Sequence, residues 1–397
     1  MKQRLLTGLT ALLCSAAFLT AGAYAGDKKA SSKEGFAGSK ACQKCHKAEY
    51  ESWNKSLHSK MVRTKDDGIL KAVVEKWATD GTNPGPTKGN VTGDAFTLAD
   101  VDLVVGSHWK QRFMVKNKVT GNHQFMDKQF NRMSEKWEPY GQKNDWEFMC
   151  ATCHTTGYRL TSYDPANPKD AKAAYTELSV GCEACHGPGA KHLKSRSKKD
   201  IWNPAAQPKE VQTRACGYCH IRGENELYMS PQGNAREDLP APKVGDSFKP
   251  SDDWTTWYPE HVILPGIQPE DKIDAEYKGD LKGMFIVDDI SKKNNVFEEG
   301  KHHQEYQGFI QSKHYKSNVL GCNDCHTPHA GKKIKAKVAK DTCKGCHGDS
   351  YSVDKIMPGT AKTADNLYLR THTFFKDQAR PSKPLASGTA VLNKEKK

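Results

Sequence analysis

Residues 321–329 read GCNDCHTPH: two cysteines three apart, a histidine directly after the second, and another histidine three residues further on. The core of that stretch recurs along the chain. It appears as CQKCH at Cys42 to His46, CATCH at Cys150 to His154, CEACH at Cys182 to His186, CGYCH at Cys216 to His220, CNDCH at Cys322 to His326 and CKGCH at Cys343 to His347. The six copies hold twelve of the thirteen cysteines. The remaining one, Cys14, lies in an N-terminal stretch with Lys2 and Arg4, an apolar run from Leu5 to Ala21 and the small-residue site Ala23-Tyr24-Ala25, which reads as a signal peptide over residues 1–25. Bulky Leu12 and Leu13 before Cys14 argue against a lipid anchor there.

Three chemistries compete for a repeated cysteine pair. A disulfide within CxxC would close only a tiny loop and gives no reason for the histidine that always follows. Zinc would use the pairs two at a time, again without that fixed fifth position. Attachment of c-type haem uses every element: two thiols for the vinyl groups and an adjoining imidazole for the iron. Six matches make this the reading, with six c-type haems as cofactors and the metal ligands His46, His154, His186, His220, His326 and His347. Cys42, Cys45, Cys150, Cys153, Cys182, Cys185, Cys216, Cys219, Cys322, Cys325, Cys343 and Cys346 are then the attachment points. Export fits, because haem is attached to such motifs outside the bacterial cytoplasmic membrane. No later segment approaches the roughly 20 apolar residues of a membrane span, so a soluble periplasmic protein is expected, with the cell surface as a further destination.

Sixteen histidines less six leaves ten: His58, His108, His123, His192, His261, His302, His303, His314, His329 and His372. Imidazole is the favoured second axial ligand of low-potential carriers, with methionine as its rival. His329 follows Pro328, too close to cross its own haem but placed to reach a neighbour's. His192 repeats that logic after the bend Gly187-Pro188-Gly189. His58, twelve residues beyond His46, lies on a helical stretch, KAEYESWNKSLHSKM. In HHQEYQGFIQSKHY a helical stripe joins His303, Gln307, Ile310 and His314, so His314 is a candidate together with one of His302 and His303, between which the sequence does not choose. His372, in LRTHTFF, is the last candidate. His108, His123 and His261 read as structural.

Motif starts at 42, 150, 182, 216, 322 and 343 are separated by 108, 32, 34, 106 and 21 residues. Short steps leave room for a helix and a turn per haem. The first long step carries a helical stretch, DDGILKAVVEKWAT, and then LVVGSHWKQRFMV and HQFMDKQF about the turn KNKVTGN, a small β-hairpin at about residues 90–135. The second is rich in Pro, Asp and Gly, with Trp254, Trp257 and Tyr258, and reads as an ordered loop. The expected organisation is a flexible stretch at 26–35, four haems over 36–245, then a loop insertion, a long helix and two haems over 246–375, and a disordered tail at 376–397. With only 36% hydrophobic residues, porphyrin must substitute for side-chain core. The fold class expected is mainly α with much irregular structure, wrapped on a haem stack. The formal charge of +13 falls to +11 without Lys2 and Arg4, and about twelve propionates would offset it, so nucleic acid is not needed to explain the basicity. The run KKIKAKVAK at 332–340 reads as a solvated face.

The phrases CHKAEYESWNKSLHSKM, CATCHTTGY, GCEACHGPGAKH, HHQEYQGFIQSKHY and GCNDCHTPH resemble the multihaem c-type cytochromes of bacterial respiration, the group related to the tetrahaem cytochrome of ammonia oxidisers and to octahaem reductases. The resemblance spans about residues 36–375. It implies bis-histidine haems in parallel and perpendicular pairs and gives the distal role to His58, His192, His314 and His329, and to His302 or His303 and His372. It also places GSHWKQRF in an insertion between the first haem and CATCHTTGY. Two departures stand out: no lysine replaces a motif histidine, and there are six motifs where the enzymatic members have five or eight haems. Two functions follow. The first is an electron carrier between redox partners, a quinol-linked donor or another cytochrome on one side and a reductase or outer-membrane conduit on the other. The second is an oxidoreductase in which one open haem handles a small nitrogen or sulfur compound. Ten spare histidines favour the carrier, and a filament of stacked subunits is a variant of it.

Overall fold

The computed structural model describes residues 35–64, 84–106, 109–164, 166–167, 170–222, 245, 247–254, 264, 285–286, 296–329, 339–350, 353–364 and 367–374. The signal peptide, the helix expected at DDGILKAVVEKWAT, His108, His261, Trp257, Tyr258, most of KKIKAKVAK and the tail lie outside them.

The largest regular element is a sheet. Strands β1 (Val62–Thr64), β2 (Leu103–Val105), β3 (Lys110–Lys116), β4 (His123–Asn131) and β5 (Lys136–Pro139) pair in chain order, every neighbour antiparallel. Alternation along a strand sends successive side chains to opposite faces, and here both faces are apolar. Leu103, Val105, Met114 and Phe125 pack on one side with Trp146, Phe148, Ala151, Tyr158 and Leu160, while Val104, Phe113, Val115, Met126 and Phe130 pack on the other with Phe96, Val101 and Trp137. The expected hairpin is the β3–β4 pair at the centre of this sheet, turning at Asn117–Gly121. Asn117 Oδ1 accepts the Val119 N–H at 2.9 Å, and Gly121 takes a φ of 75° that suits glycine. The first face buries the residues flanking CATCH, so the sheet is the platform for the second motif.

The expectation of a mainly α chain is overturned. Among the described residues four two-stranded antiparallel pairs stand beside this sheet, and only about a third, 32%, is helical. The α-helices described run from four to nine residues. The physical reason is local. A motif helix lasts only long enough to set Cys, Cys and His on one face, and glycine or proline at its ends, as at Gly181, Gly187, Gly321 and Pro328, turns the chain away. Helices this short gain little from propagation and depend on what they pack against. The helix expected to carry His58 ends at Trp53, and His58 opens a separate 3-10 turn, His58–Lys60. The long helix expected over HHQEYQGFIQSKHY is two, Glu305–Phe309 and Lys313–Lys316, divided where the Ser312 hydroxyl caps the second by accepting the Tyr315 N–H at 3.2 Å. Of the loop tryptophans, Trp254 is fully buried against Tyr218, Tyr306 and Ile310, and its indole N–H donates to the Arg214 carbonyl. Among the described residues no helix is long and apolar enough to cross a membrane.

One polar cluster fastens the sheet to the second motif. His123, only 2% exposed, sits between two carboxylates: Nδ1 lies 2.6 Å from Glu147 Oε1, Nε2 lies 3.0 Å from Asp102 Oδ2, and its backbone N–H donates to Glu147 Oε2 at 2.8 Å. Burial opposes the charged ring, but the bonds to Asp102 and Glu147 outweigh it and raise its pKa. Glu147 lies on the helix Trp146–Met149 that leads into Cys150. A raised folded pKa means that the ring's stabilisation is complete below about pH 6.5 and disappears as pH climbs through the folded value. His123→Leu strands two carboxylates and is expected to cost about 3 kcal/mol at pH 6, less at pH 9, in guanidinium unfolding followed by circular dichroism. An equal loss at both pH values would refute the ionic account.

Candidate metal centres

Positions i, i+3 and i+4 of a helix share one face, and CxxCH places its two thiols and its imidazole at those positions. The chain folds accordingly: Ala151–His154, Cys182–His186 and Cys322–Cys325 are helices, and the helix Ala339–His347 ends on the last motif. In four motifs the histidine N–H donates to the carbonyl of the first cysteine, at 3.0 Å for His46, 3.1 Å for His154 and His220, and 2.9 Å for His326. All twelve motif cysteines are free thiols, none in a disulfide. The glycine of CGYCH has a packing reason, since a Cβ on Gly217 would stand 2.5 Å from the Tyr306 ring.

Each motif histidine faces a different histidine from outside the motifs. Ring centroids are 6.2 Å apart for His46 and His192, 6.3 Å for His154 and His303, 5.9 Å for His186 and His329, 6.1 Å for His220 and His58, 6.2 Å for His326 and His372, and 6.0 Å for His347 and His314. The separation is nearly constant, whereas the angle between the rings runs from 11° to 83°. Ordinary aromatic contacts couple the two, stacking at one distance and meeting edge-on at another. A fixed distance with a free angle is what two rings show when each points a nitrogen at a common centre and turns about that axis. Two metal–imidazole bonds of about 2 Å, plus the rings' own radii, span such a gap. His302 stands outside this set. Its centroid is 4.7 Å from His303, and its Nδ1 is buried without a hydrogen-bond partner. His303 itself has a φ of 66°, uncommon for a side-chain-bearing residue. His123 belongs to the sheet cluster, and Met114 and Met126 are buried in the sheet's two cores.

Burial favours the neutral form that ligates metal at six of these twelve rings. Desolvation lowers His58 to about 4, His154 to about 3 and His303 to about 4, and also lowers His186, His314 and His329. Two rings differ because carboxylates face them. His220 Nδ1 lies 3.1 Å from Glu305 Oε2, and although burial opposes it, that carboxylate raises the ring. His372 Nδ1 lies 3.5 Å from Glu299 Oε1, and Glu299, likewise against burial, raises it to about 9. Carbonyls serve elsewhere: Trp202 O is 3.0 Å from His186 Nδ1, and Ser197 O is 2.9 Å from His192 Nδ1. Glu305 and Glu299 were not among the residues singled out from the sequence, where Glu305 is simply a polar neighbour of His303. A carboxylate on the outer nitrogen makes the imidazole a stronger donor and favours the oxidised metal. Glu305→Gln is therefore expected to raise one reduction midpoint by about 60 mV, equivalent to about 1.4 kcal/mol for one electron, in a potentiometric titration. An unchanged set of midpoints would refute this role.

Packing brings motifs together that are distant in sequence. The sulfurs of Cys42 and Cys182 are neighbours, as are those of Cys153 and Cys219 and those of Cys216 and Cys322. First and third, second and fourth, and fourth and fifth motifs therefore abut. Carboxylates clamp the first contact: Glu183 Oε2 accepts the Gly38 N–H at 2.7 Å, its Oε1 accepts that of Gly189 at 2.7 Å, and Glu177 Oε1 accepts the Ser39 hydroxyl at 2.6 Å. His58 is fixed by Val180, whose N–H donates to its carbonyl at 3.1 Å while the Val180 carbonyl accepts the Trp53 indole at 2.8 Å. Glu298 pins the other end, accepting the hydroxyls of Thr371 and Thr373 on either side of His372.

The donor set fits a haem. Among the described residues no three His, Cys, Asp or Glu side chains form a metal cage, and each histidine pair would offer an iron two nitrogens beside two thiols of a CxxCH motif. Such sites define a protein that binds c-type haem. The family profile described as "Cytochrome c554 and c-prime" matches residues 41–87 and 107–187. The "Dissimilatory sulfite reductase MccA" of Wolinella succinogenes is 22% identical over 381 residues, covering 79% of this chain and 50% of its own length. The chain thus spans half of the curated relative it matches. Among solved structures, the outer cell wall cytochrome OcwA gives a TM-score of 0.47 at 22% identity, covering 80% of this chain and 63% of that one. An undecaheme cytochrome from the S-layer of Carboxydothermus ferrireducens gives 0.42 at 21%, covering 82% and 44%. This chain is a multihaem c-type cytochrome.

Proposed function

We propose that the chain is an exported hexahaem carrier that passes electrons between respiratory redox partners. The observation that carries this reading is that each of the six motif histidines faces its own non-motif histidine, so no candidate iron lacks a second axial donor. In this reading the distal ligands are His192, His303, His329, His58, His372 and His314 for the first to sixth motifs in order. His302 is then a neighbour of the site. Haem iron, when bound, supplies a one-electron couple. The chain's own residues hold the sulfurs and imidazoles on one helical face, favour the neutral form of six of the rings by burial, and press motifs against one another at the three sulfur contacts. Cys185 further acts electrostatically on Cys216 and Cys219, which links the third motif to the fourth. Haems 1–4 over residues 36–245 and haems 5 and 6 over 246–375 would form the two parts, joined where Cys216 meets Cys322.

The signal peptide at 1–25 supports export to the periplasm or beyond, and the partners are other cytochromes, a quinol-linked donor, and a reductase or outer-membrane conduit. A ferric spectrum of purified protein tests the reading. It should be wholly low-spin, unchanged by cyanide, nitrite or hydroxylamine, and accompanied by six irons per chain. A high-spin fraction that shifts with such ligands would make the protein an enzyme with an open iron instead.

A further inference from the structure

Two arginines have no part in the ligand pairs. Arg112 projects from β3 with its guanidinium over the Tyr140 ring, Cζ 4.7 Å from the centroid, and its Nε donates to Gln129 Oε1 at 3.0 Å. Arg222, two residues beyond His220, is locked at its backbone by Gln307, which accepts its N–H and donates to its carbonyl, each at 2.8 Å. Its Nη1 donates only a long bond, 3.4 Å, to the His302 carbonyl. Several other cations meet carboxylates: Lys110 meets Glu138 at 2.9 Å, Lys209 meets Asp324 at 2.7 Å, and Arg214 meets Asp253 at 3.3 Å. Among the described residues Arg112 and Arg222 have neutral partners alone. They also repel each other, and burial together with Arg112 lowers the pKa of Arg222.

Both guanidiniums bear on one place. Tyr140, beneath Arg112, packs on the same cluster as Cys150, and the His302 carbonyl that Arg222 meets adjoins His303, which faces His154 of the second motif. Two half-buried like charges without a counterion are costly, and a fold that holds them on a strand and on a locked backbone is arranged for an anion. A guanidinium fork matches a carboxylate in two parallel hydrogen bonds. We propose that Arg112 and Arg222, with the Tyr140 hydroxyl, form a receptor for the carboxylate side chains of the macrocycle attached at Cys150 and Cys153. Porphyrin carboxylates fit better than a free oxyanion, because the cysteines fix the macrocycle beside the arginines and His303 already faces His154.

The inference rests on the haem reading, and the test separates the two. Iron and covalently bound haem in the unaltered holoprotein decide the reading. Arg112→Gln, Arg222→Gln and the double variant decide the inference. In the variants one of the reduction midpoints is expected to fall, further in the double variant than in either single one, because a cation that favours the reduced centre is gone. The carboxylate bands of the redox difference infrared spectrum should shift with it. Arg→Lys at each position keeps the charge but not the fork; it should preserve most of the midpoint while still moving the infrared bands, and it serves as the readout if a glutamine variant fails to fold. Unchanged midpoints and bands would overturn the proposal. So would titration calorimetry showing that the unaltered protein binds nitrite or sulfite and that the glutamine variants do not, since the pair would then serve a free oxyanion.

Discussion

His303→Leu is expected to leave one iron per chain five-coordinate, converting about one sixth of the ferric signal from low-spin to high-spin in electron paramagnetic resonance and opening one site to cyanide. His302→Leu should do neither. The difference follows from geometry: His303 faces His154 at 6.3 Å, whereas His302 lies against His303, with its ring in no motif pair. The unusual φ of His303 is part of the same arrangement, since a backbone held in the left-handed region turns the ring of 303 toward the motif and that of its predecessor aside. Equal high-spin fractions in the two variants, or the reverse order, would refute this assignment. A Gly in place of Leu at 303 relieves the backbone and gives a second variant with the same expected spectrum.

The other large effect concerns folding. Produced without haem attachment, with serine at all twelve motif cysteines, the chain should keep the sheet and lose the rest. The sheet has a side-chain core on each face, with Leu103, Val104, Phe113, Met114, Val115, Phe125 and Met126 almost wholly buried. Around the motifs the buried inventory is largely polar: Gln304, Gln307, Gln311, Thr371, Thr373, Glu298 and Glu299 are each 5% exposed or less. Such a region gains little from burying its own side chains and depends on the apolar body of the cofactor. Hydrogen exchange should find slow amides on β2 to β4 and fast exchange throughout 204–222 and 304–326. Uniform protection, or uniform loss that includes the sheet, would contradict this division.

How much of this was legible in the sequence depends on the range of the interactions that decide each feature. CxxCH encodes its own geometry, because a helical turn alone brings its three side chains to one face, so the motifs proposed as attachment sites stand out directly in the sequence. The β3–β4 hairpin was legible from alternation about KNKVTGN, but β1, β2 and β5 are three or four residues long, too short for a period to emerge, and the sheet they complete was missed. The expected helix over HHQEYQGFIQSKHY rested on a stripe at period 3.6. The stripe was present, yet Ser312 caps a new helix within it, a local hydrogen bond that overrides the pattern. The six histidine pairs join residues as far apart as His58 and His220, or His46 and His192, and no local signal carries such a pairing. Glu305 and the two arginines were silent for the same reason: their meaning lies in what stands opposite them.

The spread of ring angles has a spectroscopic consequence. With iron between them, nearly parallel imidazole planes, as at His186 and His329, would donate into the same iron orbital and split a pair otherwise degenerate. Planes near a right angle, as at His314 and His347, would donate into one each and leave them nearly equal in energy. Frozen ferric samples should therefore give a rhombic signal from the third centre and a strongly axial one from the sixth, so that chemically similar irons report separately as the protein is filled with electrons.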